Sequence, residues 1–175
     1  MSVALGTEAP QFDLPGVDGR NHSLDSYSGA EALMLVQSCN HCPYVQAWEN
    51  RLNAIARDYA ERGVSVVAVN SNDAEHYPED SFDEMKARAS ARGFVFDYLY
   101  DEPQGVAREL GAERTPEVFL YDRDRRLVYH GAIDDSRDET AVSQHYLRDA
   151  LDAVLGGEEP AVSETPPVGC TVKWK

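Results

Sequence analysis

A chain of 175 residues with 31 acidic against 16 basic side chains carries a formal charge of -15, so nucleic acid, whose phosphates it would repel, is excluded as a partner. The length suits one domain with a real core, and no apolar stretch approaches the length that spans a bilayer, so no membrane partner is expected. Three cysteines, an odd number, do not make a secreted disulfide framework. Residues 1–10 lack the basic start and apolar core of a signal peptide, which makes a soluble, cytoplasmic protein the expectation. Acidic residues are spread along the chain, as on a surface adapted to high salt, where the screening length falls to about 3 Å at 1 M, or on an ordinary acidic cytosolic protein.

In chain order, Phe12 and Leu14 alternate ahead of Pro15, Gly16 and the Asp18-Gly19 turn signal, predicting a β-hairpin or extended lead-in within residues 5–29. The apolar run at residues 33–37 reads as a buried strand. Val45, Trp48, Leu52, Ile55 and Tyr59 then recur at spacings of three and four, which predicts a helix over residues 39–60, ended by Gly63. Residues 64–69 form a β-branched run suited to a buried parallel strand, completing a βαβ unit. Residues 70–80 read as a loop beside that unit, 81–92 as a second helix, 94–100 with alternating aromatics as an extended strand, and 103–110 as a short helix ending at Gly111. After Thr115-Pro116, residues 117–121 and 126–133 flank a polar turn as a hairpin, and 142–155 read as the last helix. From Gly156 the composition turns to Gly, Glu, Pro and Ser. One domain over residues 1–156 and a tail over 157–175 is the expectation, with Val168, Val172 and Trp174 arguing that the tail docks.

Cys39-Asn40-His41-Cys42-Pro43 lies where the first buried strand meets the first helix. A helix N-terminus offers unpaired N–H groups and the positive end of the macrodipole, both of which favour a thiolate. Cys39 is the expected nucleophile. Cys42, three residues on, is expected on the same side of the first turn, close enough to close a disulfide. A cytosolic C-x-x-C near a βαβ pattern reads as redox chemistry rather than half of a zinc site, because no second such pair supplies the remaining ligands; no resident metal is expected. His41 is either a stabiliser of the Cys39 thiolate or a solvated side chain.

The order βαβ, helix, Thr-Pro, hairpin, helix resembles the thioredoxin-like fold, an α/β architecture with a central mixed sheet flanked by helices. The lead-in Gly6-Thr7-Glu8-Ala9-Pro10-Gln11-Phe12-Asp13-Leu14, with Asp18-Gly19 and Tyr27-Ser28-Gly29, resembles the alkyl hydroperoxide reductase/thiol-specific antioxidant branch, the peroxiredoxins. Tyr98-Leu99-Tyr100-Asp101-Glu102, Gly131-Ala132-Ile133-Asp134-Asp135-Ser136-Arg137 and the Gly169-Cys170 ending resemble peroxiredoxin-like proteins that carry a thioredoxin-type C-x-x-C. The resemblance implies a cis Thr115-Pro116 bond beside the sulfurs, with the Thr115 backbone pairing an extended substrate. It also implies that Cys42, one place before Pro43, matches the attacking cysteine of peroxiredoxins. Cys39 stands where those enzymes carry Thr or Ser, and Leu35 where they carry proline.

The function expected is thiol–disulfide oxidoreduction: Cys39 attacks a disulfide and Cys42 resolves the mixed disulfide, with no cofactor. The substrate would be a protein disulfide or a small-molecule thiol or peroxide, and the electron donor of thioredoxin-reductase type. The alternative is a peroxiredoxin-like antioxidant peroxidase, in which one cysteine becomes a sulfenic acid and the other condenses with it. A metal-handling protein of the same superfamily is a third reading. Strand direction puts Asp134, Asp135 and Arg137 near the mouth of the site, Arg137 either steering an anionic substrate or pairing with a neighbouring Asp. Cys170 is either a further exchanging thiol or a small buried hydrophobe in the docked tail.

Overall fold

A computed structural model describes residues 3–175; Met1 and Ser2, at which the expected domain begins, lie outside the described residues. The elements are β1 (Asp13–Pro15), β2 (Asn21–Ser23), β3 (Ala32–Ser38), α1 (Pro43–Ala60), β4 (Val64–Asn70), α2 (Phe82–Arg92) and β5 (Asp97–Tyr100), followed by α3 (Gly105–Leu110), β6 (Arg114–Thr115), β7 (Glu117–Tyr121), β8 (Leu127–Gly131), α4 (Tyr146–Leu155) and β9 (Cys170–Thr171). The central sheet has the order β5-β4-β3-β7-β8, with β3, β4 and β5 parallel and β7 and β8 antiparallel to their neighbours. It is the mixed sheet expected, with the predicted N-terminal hairpin formed by β1 and β2.

β3 is buried along its whole length, and the two-residue period of a strand sorts its side chains between two cores. Ala32, Met34 and Val36 face Trp48, Leu52, Ile55 and Tyr59 of α1, with Leu147 and Leu151 of α4; Leu33 and Leu35 face Phe12, Leu14, Val106 and Leu110. The stripe read from spacing is therefore the face by which α1 is held. Truncating Leu52 to Ala there costs about 2–5 kcal/mol. No helix among the described residues is long and apolar enough to cross a membrane.

Three element starts differ from the sequence reading by three residues or more. α1 starts at Pro43 rather than Cys39, because the Asn40 and His41 amides are taken by Asp80 Oδ1 at 2.7 and 3.1 Å, and Pro43 suits the first helical position. β5 starts at Asp97 rather than Phe94: the Phe94 amide closes α2 on Ala89 O, and that of Val95 goes to Asn53 Oδ1 at 2.8 Å. α4 starts at Tyr146 rather than Val142, since a 3-10 turn occupies Glu139–Ala141 and the Ser143 amide is bound by Asp135 Oδ1 at 2.9 Å.

Both outer strands of the sheet are flanked by other parts of the chain. Against β5, Gly16 bridges Leu99 and the Val17 amide donates to Tyr98 O at 3.0 Å. Against β8, the His130 amide donates to Ser163 O and that of Thr165 to His130 O, both at 3.0 Å. The approach there is so close that a Cβ on Gly131 would lie 2.2 Å from Thr165 O.

Candidate active site

β3 delivers Cys39 at its carboxyl end, and α1 begins immediately after Cys42, its N-cap residue. The turn between them is clamped. Asp80, fully buried, accepts the amides of Asn40 and His41, a bond from His41 Nδ1 and one from Asn72 Nδ2 at 2.9 Å. Tyr98 donates its hydroxyl to Asn40 Oδ1 at 2.7 Å, Gln46 Nε2 donates to Asn40 O at 3.0 Å, and the His41 ring stacks on Tyr77. His41 is thus tied to a carboxylate. A ligand atom of each of Cys39, His41 and Asp80 lies within 4.8 Å of the others, a trio that a soft divalent cation could bridge.

Opposite the pair lies β6. The Thr115-Pro116 peptide is cis, Thr115 Oγ1 is 3.6 Å from Cys39 Sγ, and Thr115 O is 3.4 Å from Cys42 Sγ. Thr115 is fully buried, and its backbone pairs antiparallel with β9, Thr115 opposite Cys170 and Arg114 opposite Thr171. Cys39, Cys42 and Val45 form a small apolar cluster against which Tyr44 and Cys170 pack. All three cysteines are free thiols; Cys42 has 0% and Cys39 2% of its surface exposed.

The surroundings of the two sulfurs pull their protonation in opposite directions. The hydrogen bond that Cys39 shares with Cys42, burial, and the nearby Asp80 carboxylate all push the Cys39 thiol up. That same bond from Cys39, against the effect of burial, together with bonds from the Cys170 thiol and the Val45 and Cys170 amides, lowers Cys42 to about 4. Burial first, then the bond to Cys42, raises Cys170 to about 11. The expectation of a thiolate on Cys39 rests on the head of a helix; in the structure that place is taken by Cys42, and Cys39 stands four residues before α1, near the Asp80 carboxylate.

The Arg137 guanidinium lies over the Tyr44 ring, 5.1 Å from the centroid, while Arg51 is ion-paired to the acidic loop, meeting Asp134 at 2.8 Å and donating to Arg137 O at 2.6 Å. Arg137 therefore reaches the cysteines only through Tyr44. Asp80 is the site residue that sequence reading missed. It stands in the polar stretch read as a loop, and nothing local distinguishes it from Glu79 beside it.

A sequence model of the family described as AhpC/TSA matches residues 5–130. A curated protein named thiol-disulfide oxidoreductase ResA, of Geobacillus thermodenitrificans, is 27% identical over 128 residues, 72% of this chain and 68% of that one. A crystal structure of a hypothetical protein from Sinorhizobium meliloti superposes with a TM-score of 0.95 at 42% identity, covering 100% of this chain and 97% of that one. The peroxidoxin BcpB of Mycobacterium tuberculosis superposes with a TM-score of 0.64 at 21% identity over 81% of this chain and 92% of its own, which makes the thioredoxin-like fold a finding.

Proposed function

The chain belongs to the AhpC/TSA family, and from that premise we propose that it is a thiol–disulfide oxidoreductase working through Cys42 and Cys39. The observation that carries the reading is geometric: Cys42 is the N-cap residue of α1, Cys39 packs with it in one small cluster, and Thr115 lies 3.4 Å from the Cys42 sulfur and 3.6 Å from that of Cys39. The similarity to a ResA protein supports the same reading.

In the proposed sequence the Cys42 thiolate attacks one sulfur of a substrate disulfide, forming a mixed disulfide and expelling the other sulfur as a thiolate that takes up a proton. Cys39 then loses its proton, toward the Asp80 side, and attacks the Cys42 sulfur. The substrate leaves as its second thiolate and Cys39–Cys42 remains as the disulfide, so the pair has given two electrons. The steps run backward when the partner is a dithiol, and no cofactor is needed. The reading goes with a reducing compartment, the cytoplasm, where a thioredoxin-reductase-type donor would restore the dithiol.

The test is to mix the reduced protein with a peptide that contains one disulfide and to follow both partners by alkylation and mass spectrometry. A Cys39–Cys42 disulfide should appear as the peptide is reduced, and a double Cys39→Ser, Cys170→Ser variant should stop at a mixed disulfide on Cys42. Exchange no faster than that of a simple thiol, or tightly held zinc in the reduced protein, would end the proposal.

A second reading is favoured by one observation, that the lowered thiol is the cysteine preceding Pro43. In a peroxidase cycle the Cys42 thiolate would attack a peroxide oxygen, releasing water or an alcohol after protonation, and Cys39 would condense with the sulfenic acid with loss of water. Stopped-flow mixing with hydrogen peroxide separates the two readings.

A further inference from the structure

A nucleophile with none of its surface exposed cannot meet a macromolecular disulfide unless something moves. Tyr44 and the tail's Cys170 pack against the cluster that Cys42 forms with Cys39 and Val45. β9 pairs with β6 over two residues, and the approach leaves no room for a side chain before it: a Cβ on Gly169 would lie 2.1 Å from Thr115 O. Any extended chain that uses the Thr115 edge puts the residue facing Thr115 against both sulfurs, because Thr115 O and Oγ1 are themselves 3.4 and 3.6 Å from them. In this chain that residue is a cysteine.

We infer that residues 169–171 are a displaceable strap, occupying the edge that a disulfide-bearing chain must use and presenting Cys170 to Cys42 as an internal disulfide partner. The inference rests on the reading of Cys42 as the exchanging thiolate. The strap is held at both ends and lightly in the middle. Upstream, Thr165 Oγ1 accepts the Ala132 amide at 2.9 Å; downstream, the Val172 amide donates to Glu113 O at 3.1 Å and the Lys173 amide to Asn72 Oδ1 at 2.9 Å, while Trp174 lies under the Arg108 guanidinium. Between those anchors, Pro166 and Val168 are exposed, so the segment can bow outward without the tail leaving the domain. When it is seated, Cys170 competes with Cys39 for any disulfide formed on Cys42: its thiolate would attack the Cys42 sulfur, form Cys42–Cys170 and release the previous partner as a thiolate, with no net change of oxidation state.

The experiment takes the full chain with Cys39→Ser and adds one equivalent of diamide, which accepts the two electrons and two protons of Cys42 and Cys170. Alkylation and peptide mapping should find Cys42 linked to Cys170 within one chain, at a yield independent of protein concentration; Cys170 left free, or linked only between chains, overturns the proposal. In the otherwise native chain, Gly169→Ala should raise the iodoacetamide labelling rate of Cys42 about tenfold, equivalent to ~1.4 kcal/mol. Lys173→Pro, which removes the amide that bonds to Asn72, should act in the same direction. Unchanged labelling in both variants means that the tail does not gate the site. A wild-type protein that exchanges with no disulfide peptide, yet forms the Cys42–Cys170 link, would sink the proposed function and leave the strap standing.

Discussion

Cys39 ends a strand and Cys42 begins a helix, and the surroundings those elements bring are opposed. Around Cys39 everything is fixed and acidic: Asp80 is buried, holds two backbone amides and the His41 ring, and its charge discourages a thiolate. Around Cys42 the groups are donors: the Cys39 and Cys170 thiols and two amides, at the positive end of an 18-residue helix. Two thiols three residues apart are thereby pulled in opposite directions, Cys39 up and Cys42 down. The strand-end side is built from long-range contacts, and the helix-end side from local ones with the tail added.

The largest break in this contrast is Cys42→Ser, which should take disulfide exchange to background, whereas Cys39→Ser should still form the mixed disulfide. In the native protein, iodoacetamide labelling of Cys42 should be nearly flat from pH 6 to 8 and fall only as pH drops through about 4, where the thiolate is protonated. A free thiol, by comparison, gains roughly tenfold per unit below its pKa of ~8.5. A labelling curve that rises like the free thiol's would return the charge to neither sulfur.

Asp80→Asn should come next. It removes the negative charge beside Cys39, so the labelling midpoint of Cys39 should move down. The Asn40 and His41 amides exchange a charged acceptor for a neutral one, which should lower unfolding free energy by about 1–3 kcal/mol in a urea melt. Smaller again is His41→Ala, which acts on Cys39 only through Asp80: in glutathione redox buffers the couple should become more reducing by no more than ~30 mV, a tenfold change in the equilibrium constant. Arg137→Ala should do least. Losing a guanidinium from the Tyr44 ring costs ~0.5–1 kcal/mol, and peptide exchange should stay within about twofold of wild type.

The framework was legible because it is written in local periodicity. Leu33, Met34, Leu35 and Val36 run apolar without a break, as a strand buried on both faces must, and Val45 to Tyr59 repeat at three and four because only one side of α1 meets the sheet. The cysteine pair was read from its spacing, and the cis Thr115-Pro116 bond beside it from the family resemblance. What could not be read was governed by partners distant in sequence. The start of α1 is set by Asp80, some forty residues on, which takes the amides a longer helix would have used. The start of α4 is set by Asp135 in the same way. The opposite pulls on the two sulfurs come first from the bond they share and from burial, then from Asp80 on Cys39 and Cys170 on Cys42, and neither of those last two is a neighbour of the pair in the chain.

The central sheet also has no unguarded rim. β5 is lined by the turn at Gly16 and Val17, and β8 by the strand-like passage at residues 163–165. An uncovered strand invites a second molecule to extend the sheet, the route to runaway stacking in β-rich proteins. Here the two chain extensions occupy part of those backbone groups on both edges, so a second strand would have to displace them before it could extend the sheet.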